Sequence, residues 1–408
     1  MKLKILRKKY PKFIYRSYDY KVAKGNLEIS FLFEIPPDIR FRPRIIIKSI
    51  PRTLLGALDN LVFHVGLIEM LSYWKAACSP EIVIEAGYLN KEQIKWWRKL
   101  ILNGMGQFFY ENKIDWRKPN FLKIKNLQRP DVCKIYRDPT SVKLKNGYLV
   151  PFAGGRDSII TLESLKGKGK GIALFTVNPI DKIQKVVKVS GIKKQIIVRR
   201  IIDKKLLELN KKGYLNGHTP FTSVLSFISV LCAVLFKYKN IAFSNEKSAN
   251  EGNVKYLGKI INHQWAKSSK FEKMFRNYCR KYLAKNLNYF SFTRKYGELE
   301  ISKMLTKYPK YLPVFSSCNA SMRIASSRLR WCNNCPKCLF VYLTLCPYLK
   351  KEQLLEIFGE DLLQKKSLRP ILKSLMGEGK HKPFECVGTY AEAKKALKLC
   401  LKNLKTKK

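Results

Sequence analysis

The octapeptide Pro151-Phe152-Ala153-Gly154-Gly155-Arg156-Asp157-Ser158 joins an apolar run, residues 147–150, to a segment with helical character, residues 158–165. The run reads as a buried strand, and paired glycines let the backbone come close to an anion. A helix starting there points free N–H groups and the positive end of its dipole at that anion. Asp157 and Ser158 place a carboxylate and a hydroxyl at the helix start, suited to a cap or to a phosphate-bound Mg²⁺. The bland reading is a strand–helix turn that binds nothing.

The second group is sulfur. Cys318 is followed by Cys332, Cys335 and Cys338, a C-x13-C-x2-C-x2-C spacing. Four thiolates suit a closed, structural Zn²⁺ site, and Lys337, Arg328 and Arg330 bring positive charge to such a doubly negative unit. An iron–sulfur cluster accepts the same donors, and a redox dithiol in one C-x2-C is a third reading. No general base neighbours the knot in sequence, which favours a structural role. The chain has eleven cysteines, an odd number with four clustered, and no export signal is expected from its basic start. That usage predicts a reducing cytoplasm and metal ligation over disulfides, with Cys346, Cys386 and the others as buried thiols.

Around these groups the pattern alternates. Strands are expected at 172–177, 195–199 and 240–244, and helices near 182–189 and 222–236. Such alternation implies βαβ crossovers and a parallel sheet with ligands beyond the carboxyl ends of its strands. Residues 153–158, 175–179 and 244–253 fall at those ends. Ahead of them, residues 1–140 read as an α+β module with strands at 27–33, 44–47 and 81–85. Its helices are expected at 54–77 and 91–102, the second carrying Trp96 and Trp97. The expected domains are therefore 1–140, 141–350 with the cysteine knot, and a basic helical tail at 351–408.

The chain carries 80 Lys and Arg against 30 Asp and Glu, a net charge of +50. The charge is mostly lysine and spread along the chain, with no arginine-rich arm and no nucleic-acid-binding signature, so no specific nucleic-acid partner is expected. A polyanionic substrate suits it equally well. The longest apolar run, 224–236, is too short to span a bilayer and is broken by Ser226 and Ser229, so it reads as a core helix.

The octapeptide resembles the PP-loop (Ser-Gly-Gly-x-Asp-Ser) of ATP pyrophosphatases, which cleave ATP to AMP and pyrophosphate, with Ala153 where that loop has serine. The loop and knot together resemble 7-cyano-7-deazaguanine synthases locally. A resemblance over nearly the whole chain rests on four further strings. These are Ser244-Asn-Glu-Lys-Ser-Ala-Asn-Glu-Gly-Asn253, Asn262-His-Gln-Trp-Ala-Lys-Ser-Ser-Lys-Phe-Glu272, Ser317-Cys-Asn319 and Lys382-Pro-Phe-Glu-Cys-Val-Gly-Thr389. With them the chain resembles the UDP-N-acetylmuramoyl-L-alanyl-L-glutamate epimerases, ATP- and Mg²⁺-dependent enzymes that convert the terminal L-Glu of a peptidoglycan precursor to D-Glu. The resemblance implies an adenine-nucleotide-hydrolase-like α/β domain, a UDP-linked muramoyl dipeptide as substrate, and the cofactors ATP and Mg²⁺ beside structural Zn²⁺.

The chemistry needs few parts. A proton beside a free carboxylate is barely acidic, because its removal builds a second negative charge next to the first. An acyl-adenylate removes the first charge, after which a base on one face and a proton donor on the other suffice. On that reading Gly154, Gly155, Arg156, Asp157 and Ser158 take pyrophosphate and Mg²⁺, and Asn178 lines the adenosine pocket or simply turns the chain before Pro179. Glu246 and Glu251 hold Mg²⁺ or move a proton, or are solvated loop acids. Of the four histidines, His263 and His218 are the proton-transfer candidates, each alternatively structural, and His64 reads as packing. Lys267 would neutralise the adenylate phosphate, and Asn319 and Arg323 would meet a carboxylate. The N-terminal module is a candidate for recognising the uridine diphosphate or muramoyl part. Two readings of other classes stay open on the residues: a PP-loop enzyme of tRNA modification or 7-cyano-7-deazaguanine formation, and a zinc-stabilised binding protein without catalysis.

Overall fold

The computed structural model describes residues 2–51, 58–127, 142–322 and 330–405. The chain forms two compact units, each woven from separated segments: Met1–Asn146 with Ile196–Ile241 and Lys273–Asn288, and Gly147–Gln195 with Ala242–Glu272 and Tyr289–Lys408.

The first unit is built on a long hairpin. Strand Lys12–Ala23 pairs antiparallel with Asn26–Ile35, and the latter pairs antiparallel with Arg44–Ile47. Leu27, Ile29, Phe31, Phe33 and Ile35 all point inward and are at most 2% exposed, the period-two pattern of a sheet with one covered face. On the other side of the hairpin, Lys12–Ala23 pairs in parallel with Glu81–Ile84, which pairs in parallel with Lys123–Asn126. Strand Gln195–Ile201 departs from expectation. It stands next to Ile172–Val177 in the sheet, and on its other edge it pairs antiparallel with Arg44–Ile47. Its alternating buried Ile196 and Val198 specify a strand with one covered face, but that pattern carries no information about the neighbour.

Helix Phe221–Leu235 is the expected core helix. It is buried on nearly every side and packs on helix Asp59–Glu69. Two of its hydroxyls are satisfied within the helix, Ser226 donating to the Thr222 carbonyl and Ser229 to that of Ser226. Among the described residues no helix is long and apolar enough to cross a membrane.

His64 packs as its apolar surroundings suggest. Its Nδ1–H donates to the Asn60 carbonyl at 2.7 Å, and its Nε2 accepts from the Tyr278 hydroxyl at 2.8 Å. That hydroxyl in turn accepts from Trp97 Nε1 and Gln93 Nε2. Trp97 is fully buried in this network, and Trp96 donates to the Met274 carbonyl. Burial lowers the His64 pKa to about 4 from the usual 6.5. The unfolded imidazole therefore binds a proton that the folded one refuses between those values, and stability falls as pH drops through that window, by up to about 3 kcal/mol. Urea unfolding at pH 7 and pH 4.5 should show a smaller acid loss in His64→Gln than in the parent. Equal losses would remove His64 from the explanation.

In the second unit, strand Lys145–Pro151 pairs in parallel with Ile172–Val177, from Tyr148 opposite Ile172 to Pro151 opposite Phe175. Helices Arg156–Lys166, Asp181–Ser190, Glu298–Leu305 and Pro336–Leu345 enclose a core that includes Val150, Ile159, Ile160, Leu174, Phe315 and Phe340. The C-terminal region is helical, with Lys351–Phe358, Arg369–Leu375 and Tyr390–Lys405. Cys346 and Cys400, expected as free thiols, form a disulfide between helix Tyr390–Lys405 and the end of helix Pro336–Leu345. Cysteine counting misses this pair because 54 residues separate its members and only the packing of the two helices brings them together.

Candidate active site

The glycine turn lies at the carboxyl end of strand Lys145–Pro151 and opens helix Arg156–Lys166. Gly154 has φ +73°, and a Cβ there would also press on Val186 Cγ2 at 3.1 Å. Gly155 is the N-cap, and a Cβ on it would meet Ser317 Oγ at 3.2 Å. Gly154 thus requires glycine for its dihedral, and Gly155 lies in tight approach to Ser317. Ser316 N donates to the Gly154 carbonyl at 3.3 Å, so the segment that leads into Cys318 backs the turn directly. Ser158 Oγ donates to the Gly155 carbonyl at 2.9 Å.

Arg156 behaves differently from its neighbours. Its guanidinium is fully buried and faces the core, bonded to Glu298 at 2.5 Å, Ser302 at 2.6 Å and Thr344 at 2.7 Å. It clamps the turn's helix to helices Glu298–Leu305 and Pro336–Leu345, and only its backbone remains available to a ligand at the turn.

Asp157 belongs to a cluster of charges drawn from distant parts of the chain. Burial raises its pKa and Glu246 adds to the rise, against the opposing charges of Arg156, Lys337 and Lys267. Its Oδ1 is buried with no hydrogen-bond partner. Glu246 feels the same burial, but Lys267 and Lys337 outweigh it and hold the carboxyl below its ordinary range. For Lys267, burial opposes the ammonium, yet Cys386, Glu246 and Asp157 together keep it charged well above the usual lysine value.

Arg294 fixes this geometry. It donates to the Glu246 carbonyl at 2.8 Å and the Lys267 carbonyl at 2.5 Å, and Glu272 anchors it at 2.9 Å. One planar guanidinium thereby sets the spacing of two loops that carry opposite charges into the cluster. Arg294 has no sequence signal of its own; it precedes a helix in an ordinary Phe-Thr-Arg-Lys stretch.

The other expected residues are distributed as follows. Asn178 ends strand Ile172–Val177 with φ +45°, exposed, at the same strand edge as the turn. Glu251 is engaged by the buried Lys382 at 3.1 Å and by Tyr390 N at 3.3 Å. His263 is held through its backbone N–H on Asn253 Oδ1 at 2.8 Å, with its ring 6.5 Å from that of Phe384. Asn253 also donates to the Pro383 carbonyl at 2.7 Å, which links the His263 loop to the 382–389 strap. His218 lies in the other unit, between Gly217 and helix Phe221–Leu235. Asn319 donates to Glu385 at 3.2 Å. Arg323 and Arg328 fall outside the described residues.

The four sulfurs of Cys318, Cys332, Cys335 and Cys338 lie within 4.8 Å of one another. Cys332 and Cys338 are 3.7 Å apart, and Cys335 and Cys338 are 3.5 Å apart. Zn–S bonds of about 2.3 Å around a tetrahedron set sulfur–sulfur edges near ~3.8 Å, so the donor set fits a single Zn²⁺. Cys335 is the N-cap of helix Pro336–Leu345, its sulfur accepting from Cys338 N. Lys337, between these cysteines, is 5% exposed; its ammonium bonds the Cys386 carbonyl and faces Asp157 and Glu246 rather than the sulfurs alone. Arg330 bonds backbone carbonyls of Pro313, Glu356 and Ile357. The knot therefore positions two things at once, the Ser316–Ser317 backing of the glycine turn and the Lys337 charge.

These features define an α/β protein with a glycine-rich strand–turn–helix element, a buried mixed-charge cluster at that turn, and four cysteines behind it that could hold a metal ion. Residues 4–292 match the model for the MurL N-terminal domain and residues 314–408 the model for the MurL C-terminal domain. Three relatives bear the name UDP-N-acetyl-alpha-D-muramoyl-L-alanyl-L-glutamate epimerase. That of a Micromonospora species is 31% identical over 395 residues, covering 95% of this chain and 86% of the relative. That of Salinispora tropica is 32% identical over 394 residues, covering 95% and 84%. That of Xanthomonas oryzae pv. oryzae is 32% identical over 343 residues, covering 84% and 74%. The chain belongs to the MurL family.

Proposed function

We propose that this chain is an ATP- and Mg²⁺-dependent epimerase that converts the terminal L-Glu of UDP-N-acetylmuramoyl-L-alanyl-L-glutamate to D-Glu through an acyl-adenylate, releasing AMP and pyrophosphate. Its relatives' names supply the substrate. The observation that carries the adenylation chemistry is the buried cluster of Asp157, Glu246, Lys267 and Lys337 at the mouth of a glycine turn.

In this reading the N–H groups of the turn and the first helical turn take the phosphates of ATP. Asp157 and Glu246 hold Mg²⁺, for which the unpartnered Oδ1 of Asp157 is a fitting ligand. Held there, the ion would screen the phosphate charge against the attacking carboxylate. Lys267 stabilises charge on the transferred phosphate. Asn178 lines the adenosine side, and the 246–251 and 262–267 loops enclose the glutamyl group with His263. The first unit, with His218, holds the uridine diphosphate and sugar. Zn²⁺ in the knot is structural, the substrate's four or more negative charges suit a +50 chain, and a nucleotide-linked precursor places the work in the cytoplasm.

Incubation with ATP, Mg²⁺ and the muramoyl dipeptide, followed by chiral analysis of glutamate and an AMP assay, tests this. D-Glu formed together with AMP supports it, while D-Glu formed without AMP rejects the adenylate. Arg294→Ala should lower turnover about 100-fold, with Arg294→Lys rescuing little, because a single ammonium cannot span both carbonyls and Glu272. Full activity in Arg294→Lys would show that the hub is not needed.

A further inference from the structure

The strap 382–389 brings Cys386 into the charge cluster. Its Sγ accepts a hydrogen bond from the Lys267 ammonium at 3.1 Å, and its carbonyl accepts one from Lys337. Both lysines face Asp157 and Glu246. The remaining cysteines among the described residues are committed elsewhere. Four form the knot, two form the disulfide, and Cys78, Cys232 and Cys279 are at most 1% exposed. Burial pushes the thiols of Cys78 and Cys279 up to about 12. Cys386 alone among the described free thiols outside the knot keeps partial exposure, and it does so beside a cation. The same cluster holds the Oδ1 of Asp157, buried without a hydrogen-bond partner, a polar atom whose satisfaction calls for a further group.

We propose that Cys386, held by Lys267, is the acid–base group serving one face of the glutamyl α-carbon; this rests on the epimerase reading above. The thiolate takes the α-proton, and the C–H electron pair moves into the enolate of the activated carboxyl group. A water molecule on the opposite face returns a proton to the α-carbon, and the hydroxide it leaves is neutralised by the proton on the Cys386 thiol. A second water then cleaves the adenylate to the free carboxylate and AMP, so the cysteine ends as it began. Lys267 is a positioning residue in this scheme, and inversion becomes a step separable from adenylation.

The test compares the full-length chain with Cys386→Ser and Cys386→Ala in D₂O with ATP, Mg²⁺ and UDP-N-acetylmuramoyl-L-alanyl-L-glutamate. D-Glu, α-deuterium, AMP, zinc content and melting temperature are all measured. Inversion should fall about a thousandfold in both variants, while AMP release continues uncoupled from it and zinc content and melting temperature stay near those of the parent. Inversion per AMP at the parent's ratio would overturn the proposal. So would a loss of AMP release in equal proportion to inversion from variants that remain folded and zinc-loaded. A parent that inverts glutamate without AMP would sink the adenylate step alone, leaving Cys386 to be judged on inversion and deuterium. A parent that never inverts glutamate would overturn the epimerase reading and this proposal together, whatever the variants do.

Discussion

Asp157→Asn is expected to lower substrate-dependent AMP release by about a thousandfold while the protein stays folded. The substitution is nearly isosteric, and the carboxylate it removes has one oxygen buried without a hydrogen-bond partner, so few native contacts are lost. Folding stability should hold or rise, because burial and Glu246 already oppose the ionised form of Asp157. What disappears is the negative charge available to a cation at the start of helix Arg156–Lys166. An amide oxygen ligates Mg²⁺ weakly, and no other carboxylate stands in the helix's first turn. Pyrophosphate and AMP measured at saturating ATP, beside a melting curve, decide the matter. Unchanged AMP release from a normally melting variant would detach the glycine turn from ATP chemistry.

Loss of one sulfur from the four-cysteine donor set is expected to act as strongly. Cys335→Ser should reduce bound zinc from one per chain to well below that, lower the melting temperature by about 10 °C, and abolish turnover. Cys335 caps helix Pro336–Leu345, and that helix carries Lys337 and packs against the buried Arg156–Glu298 pair through Thr344. Across the knot, Cys318 follows Ser316 and Ser317, which support Gly154 and Gly155. Loss of one ligand therefore loosens both walls of the site. Elemental analysis with thermal unfolding and an activity assay tests the coupling. A zinc-free variant with full turnover would show that the knot stabilises a region the chemistry does not use.

Much of this fold is legible in the order of the residues, and the boundary of legibility has physical causes. Strand Ile172–Val177 is readable to the residue and helix Phe221–Leu235 within one residue at each end, because run length separates a six-residue buried strand from a fifteen-residue core helix. The glycine turn and the knot are readable because their chemistry depends on local spacing. Strand Lys12–Ala23 escapes, although it is the longest. Beyond Ile14 and Tyr15 its residues alternate between half-exposed and exposed, and Arg, Asp and Lys hide the period. The antiparallel pairing of Gln195–Ile201 with Arg44–Ile47 escapes because alternation reveals a buried face and not a neighbour.

The site divides in the same way. Asp157, Glu246 and Lys267 can be nominated from loop position, and they do converge. Arg156 looks like a phosphate ligand from its place in the turn, yet its length carries the guanidinium past the turn and into the core. Arg294 and the Cys386–Lys267 contact are out of reach, since they join positions 48 and 119 residues apart through tertiary packing alone. The C-terminal segment reads as a basic tail, whereas its strap delivers both Lys382 and Cys386.

Deuterium exchange at the glutamyl α-carbon, followed by mass spectrometry in D₂O with and without ATP, separates proton removal from activation of the carboxyl group. The account predicts that UDP-N-acetylmuramoyl-L-alanyl-L-glutamate gains one α-deuterium only when ATP and Mg²⁺ are present, because the free carboxylate keeps the α-proton from leaving. Exchange or inversion at full rate without ATP would contradict it, and the cluster at the glycine turn would then need a different purpose.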